Sequence, residues 1–264
     1  MNIFLREIKS NIKSLLIWSG IVLMISTVGF AKFSAYADNP DLLAILDNLP
    51  AAMLEAFNLN SFNLTTVTGF YGVMFAYFGL ILSISAVMWG SDIISKEERD
   101  KTLEFSMSLP VSRGQVVWAK TAAVLFSSIV LALFTWGAIV VNAKQYQPDS
   151  KFYEFVALGS LALFIMQMIF LSIGILIACV VKQHKLSGSV AVSLLLGTYF
   201  ISILSSLSDK LEFLKYFSPF TYFNAADFFR DAKFEPVFVW LSAGIIVIAL
   251  AAGFFTYSKR DLYI

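Results

Sequence analysis

The stretch FVALGSLALFIMQMIFLSIGILIACVV, residues 155–181, decides the fold. It runs for 27 residues without a single charge. As an α-helix at about 1.5 Å per residue it reaches ~40 Å, more than the ~30 Å hydrocarbon core of a bilayer. A surface helix of a soluble domain keeps one polar face, and this one has none. Five further stretches share its character, near residues 15–31, 69–91, 116–141, 188–207 and 237–257. None alternates polar and apolar residues over the ~9–11 positions of a barrel strand. The sequence predicts an all-α membrane protein with six transmembrane helices, forming a single transmembrane domain over residues 1–264.

Composition says the same. Of 264 residues, 58% are hydrophobic and 14% charged, with 26 Phe and a mean hydropathy of +0.77. Soluble chains carry about 25% charged residues, so no surface polar enough for a water-soluble enzyme can be assembled. Nineteen basic against 18 acidic residues leave a net charge of +1 and no basic patch for nucleic acid. One cysteine, Cys179, and one histidine, His184, rule out disulfide frameworks and most His- or Cys-based metal and catalytic sites.

An even number of crossings puts both termini on one side, and basic loops choose the cytoplasm. With the N-terminus inside, the cytoplasmic segments hold Arg6, Lys9, Lys13, Lys96, Arg99, Lys101, Arg113, Lys120, Lys182, Lys185, Lys259 and Arg260. The other seven basic residues are spread over longer outer loops. Trp18, Trp89, Trp118, Trp136 and Trp240 fall near span ends, where aromatic belts form. A competing reading is a signal peptide cleaved at Ala35-Tyr36-Ala37, but an apolar run of about 17 exceeds the usual ~7–15.

Before the first span, Phe4, Leu5, Ile8, Ile12 and Leu15 share one helical face, with Arg6, Lys9 and Lys13 on the other. This pattern predicts an interfacial helix, its basic face toward anionic headgroups. In the first outer loop, Asn39-Pro40 and Pro50 open two short helices, neither able to span. Between the second and third spans, Ser95 with Glu98 and Ser112 with Gln115 read as two capping boxes. They frame a short charged helix, 95–109, ended by Pro110. A solvated charge run is the plain alternative, but the apolar stripe of Thr102, Phe105 and Leu109 favours a docking surface.

Residues 98–113, ERDKTLEFSMSLPVSR, resemble the signature loop of ABC-2 type permeases, the membrane subunits of ATP-driven exporters. Phe217-Ser218-Pro219-Phe220-Thr221-Tyr222, Lys259-Arg260-Asp261-Leu262 and the opening from Phe4 to Trp18 fit the same family, in the branch whose ATPase is a separate chain. Ser106 stands where the pattern is usually apolar. The resemblance implies that residues 95–109 form a coupling helix seated on a cytoplasmic ABC ATPase. Glu97, Glu98, Lys101, Thr102, Leu103, Glu104, Phe105, Pro110 and Arg113 are then its contact residues, while Arg6, Lys9 and Lys13 meet the membrane surface. It also implies two ATPase copies that bind ATP and Mg, a second permease, identical or related, and alternating access in a bacterial plasma membrane. Residues 208–235, rich in aromatics, would re-enter the outer leaflet as short helices; Asp227 with Arg230 or Asp231 lies on one helical face there, an ordinary i,i+3 or i,i+4 relation.

No G-x-x-x-x-G-K-[ST] occurs, so this chain has no P-loop for ATP phosphates and no catalytic or cofactor site of its own is expected. An ion-coupled carrier would hold carboxylates or other ionisable groups within its spans, and only Lys120 lies there, one turn in, where it can snorkel. An intramembrane protease would need Glu97-Glu98 in a cavity, whereas the sequence places them in a wet loop. The favoured reading is a permease for amphipathic or hydrophobic cargo such as antimicrobial or cytolytic peptides, through a path nearly free of charge.

Overall fold

A computed structural model describes residues 3–37, 39, 48, 50, 54, 62–100, 112–181, 183–207, 209–226, 228 and 233–259. Six long helices dominate: α1 (Ile3–Tyr36), α2 (Val67–Arg99), α3 (Arg113–Ala143), α4 (Ser150–Val180), α5 (His184–Ser206) and α6 (Pro236–Lys259). All six are long and apolar enough to cross a membrane, and no strand occurs among the described residues. Each covers one of the predicted spans, to within one residue at the C-terminal ends of α4 and α5, and starts before it.

One expected start signal forms, and a second cap, Asp149, is one that the sequence reading did not single out. The Ser112 hydroxyl accepts from the Gln115 amide while the Gln115 side chain accepts from the Ser112 amide, closing the capping box that opens α3. Asp149 accepts from the Phe152 amide and opens α4. Two other expectations are corrected. Residues 3–14 do not form a separate interfacial helix but the first turns of α1, which continues unbroken into the span. The Ser95–Glu98 box does not form either. Helix α2 runs through it to Arg99, with the Ser95 hydroxyl donating to the Ser91 carbonyl, because nothing before Asp100 disrupts helical geometry. The remainder of the expected coupling helix, 101–111, lies outside the described residues. So do nearly all of the two outer-loop helices and the Asp227, Arg230 and Asp231 positions.

Helices α2 and α4 form the interior. Their apolar windows are 61% buried, against 17% for α1 and α5 and 22% for α6. They run parallel: Tyr71 lies against Phe152 and Phe155, Gly79 against Leu163 and Met166, and Gly90 against Leu171 and Ile175. Lipid offers helices no hydrophobic drive to associate, so close backbone approach supplies much of the attraction. Glycine permits it here. A β-carbon at Gly90 would fall inside contact distance of the Leu171 carbonyl oxygen, and one at Gly174 would lie 2.5 Å from that of Val87.

The α1–α3 pair is parallel as well. Asn11 donates to Ser127 at 3.2 Å, Ser26 to the Ala138 carbonyl at 3.2 Å, and Tyr146 to the Phe30 carbonyl at 2.6 Å. Parallel odd helices and parallel even helices are what successive crossings produce. Trp118 packs on Phe254, Leu176 meets Gly253, and Ser91 meets Gly188, so the first and last described residues share one end of the bundle. That end carries Arg6, Lys9, Lys13, Lys96, Arg99, Arg113, Lys120, Lys185 and Lys259. The opposite end is aromatic: Phe62, Tyr71, Phe155, Phe228 and Phe234 interlock there. The stretch after α5 folds back as a 3₁₀ segment, Asp209–Phe217, and a single helical turn, Pro219–Tyr222. Phe220 packs on Phe170 and Tyr199, and Tyr222 stacks on Phe238, closing that end.

Candidate functional site

At the charged end, three helix ends meet in a cluster of five ionisable side chains. Glu7 comes from α1, Lys96 and Glu97 from α2, and Lys120 from α3; Arg6 of α1 reaches in from the rim. The Lys120 ammonium lies 3.1 Å from Glu97 and 3.6 Å from Glu7, and donates to the Ile93 carbonyl at 2.9 Å. Arg6 donates to Glu97 at 2.9 Å and to Glu7 at 3.1 Å, and Lys96 bonds the other Glu7 oxygen. Glu7, Glu97 and Lys120 are 1%, 5% and 1% exposed.

Charges buried to that extent persist only when paired and hydrogen-bonded. Here each carboxylate is held by more than one cation. The placement follows from helical period: Glu7, Asn11, Ser14, Trp18, Val22 and Ser26 form one stripe facing the bundle. Leu5, Ile12, Leu16 and Ile17 are exposed on the far side of α1, where lipid would cover them. Lys120 faces the same junction because its neighbours Val116, Val117 and Thr121 are buried with it.

This geometry revises several residue readings. Lys120 does not snorkel outward; it is enclosed and paired. Glu97 does not sit in a wet loop; it is the acceptor at the centre of the cluster. Glu98 is half-buried and Arg113 exposed at the mouth of α3. Lys9 and Lys13 are exposed, whereas Arg6 turns inward to Glu97. Lys101, Thr102, Leu103, Glu104, Phe105 and Pro110 lie outside the described residues. Glu7 was missed in the sequence, although its place four residues before Asn11, on the stripe that continues to Val22, was visible there.

The cluster therefore pins together the end of α2 and the start of α3, the two helices that residues 101–111 connect. Over residues 1–262 the chain matches the family model described as ABC-2 family transporter protein. The chain belongs to the ABC-2 transporter family. This permease is a multi-pass membrane protein and the transport subunit of an ABC system, a family in which the membrane subunit works with an ABC ATPase. No curated protein matches it. Within the ABC-2 permease, the charged cluster stands at the base of the loop whose sequence resembles the family signature.

Proposed function

We propose that this chain is the membrane half of an exporter whose ATP-hydrolysing chain docks at the charged end, on residues 95–113. The observation that carries the reading is the buried Glu7–Lys96–Glu97–Lys120 cluster, which makes one rigid body of the three helix ends flanking that loop. A push on the loop is then transmitted to α1, α2 and α3 together rather than absorbed by bending. Ser112 caps α3 where the loop rejoins the bundle, which fixes the start of that helix. The charged end faces the cytoplasm of a bacterial cell, in line with its excess of Lys and Arg. Two permeases, identical or related, enclose the path, and two ATPase copies hold the ATP and Mg. The spans are nearly free of charge, which suits amphipathic or lipophilic cargo, antimicrobial and cytolytic peptides among them.

The test is co-purification of the co-expressed ATPase with this chain. Charge reversal at Glu98 and Glu104 together places like charges against a basic groove, an arrangement that costs several kcal/mol at interfaces, where each ~1.4 kcal/mol is tenfold in affinity. The double variant should elute as folded protein and lose the ATPase. The same reversal at Glu212 and Glu235, exposed at the aromatic end, should keep it. ATPase retained at full yield by the Glu98 and Glu104 variant would refute docking on this loop.

A further inference from the structure

Beside the charged cluster, a cleft of about 710 Å³ opens between α1, α2 and α5. Its floor is α2, and its walls are α1 and the first turns of α5. We propose that this cleft seats the headgroup of one anionic, hydroxyl-bearing phospholipid drawn from the leaflet at the charged end.

Three observations support the assignment. The first is the chemistry of the lining. Lys96, Arg99 and Lys185 face it with one lining carboxylate, Asp92; Arg99 is paired with Asp92 at 2.5 Å and with Asp100 at 3.1 Å, which leaves the two lysines to meet an anion. Lys185, exposed at the start of α5, makes no ion pair among the described residues. Lys96 belongs to a cluster of three cations and two carboxylates, so a positive charge remains at the cleft wall. Seven serines and Asn11 complete the polar lining, a set suited to phosphate oxygens and headgroup hydroxyls.

The second observation is depth. Trp18 and Trp89 stand at the inner edge of the cleft, and the Trp89 indole donates to the Ser14 hydroxyl at 2.8 Å. Trp89 is buried, while Trp18, half-buried at that edge, stands at the level where aromatic belts form. The third is that both walls border lipid. Leu16 and Ile17 of α1 and Val190 and Leu194 of α5 are exposed on faces turned away from the cleft. Lipid covering those faces would bring its headgroups to the polar notch. A zwitterionic choline headgroup would bring its own cation toward Lys185.

The experiment is native mass spectrometry of the purified permease titrated with phosphatidylglycerol or phosphatidylcholine. Juxtamembrane lysines are worth about 1 kcal/mol each toward anionic lipid, so Lys185→Glu should weaken phosphatidylglycerol binding by about tenfold or more. Lys151→Glu, the same change at the aromatic end, should leave it intact, as should the fold of both variants by circular dichroism. Ser193→Leu, which fills the notch without altering charge, should weaken binding too. Equal binding of the two lipids, or a phosphatidylglycerol preference that survives both Lys185→Glu and Ser193→Leu, would overturn the proposal. Competition by inorganic phosphate as effective as that by phosphatidylglycerol would also overturn it, since the site would then take a free anion.

Discussion

At the scale of the residue, the decisive group is Lys120. Its ammonium is enclosed with Glu97 at 3.1 Å and Glu7 at 3.6 Å, so removing it leaves two carboxylates short of a partner in a place water does not reach. Breaking a buried pair from one side costs about 3–5 kcal/mol, mostly for the charge left behind. Lys120→Met should therefore lower the thermal unfolding midpoint in detergent sharply, whereas Lys144→Met, at an exposed position, should fall within about 0.5 kcal/mol of wild type. Adding Glu97→Gln to Lys120→Met should recover part of the loss, because the two act in one network. Equal midpoints for Lys120→Met and wild type would show that the cluster is solvated. The sequence could not disclose this arrangement. Lys120 and Glu7 are 113 positions apart, and a lysine one turn inside a span ordinarily reaches back to water.

At the scale of the element, the interior is set by how closely α2 and α4 approach. Gly90 sits against the Leu171 carbonyl with no room for a β-carbon, and such overpacking costs about 1–3 kcal/mol even where the neighbours can shift. Gly90→Val should destabilise the bundle and broaden its elution profile. Gly137→Ala, where a β-carbon meets nothing within 4 Å, should be neutral or gain up to ~1 kcal/mol of helix propensity. Similar midpoints for the two variants would mean the parallel α2–α4 contact is wrong. Existence and number of helices were legible from charge-free length alone, since a membrane span advertises itself by what it lacks. The ends were not. Ser95 and Glu98 form a sound capping pattern, yet a capping pattern inside a favourable helix is ignored, and α2 continues to Arg99. The N-terminal segment misled for a related reason. Read alone, residues 3–14 look like a helix lying on the membrane, but their inward stripe is in phase with that of the span, so one straight helix satisfies both.

At the scale of the whole molecule, the bundle has a charged end that gathers both described termini of the chain and an aromatic end sealed by Phe62, Tyr71, Phe155, Phe228 and Phe234. Family membership makes it a transport subunit, and the cluster at the base of the 101–111 loop supports the proposal that force enters at the charged end. The central claim is that the ATPase engages that loop and not the opposite face. It is tested most directly by a photo-reactive residue placed at position 104, or at Gln147 on the opposite end, in cells that co-express the ATPase. Irradiation should join the ATPase to the chain labelled at 104 and leave the chain labelled at 147 free. An adduct at 147, or none at 104 with both chains present in the membrane, would contradict the account.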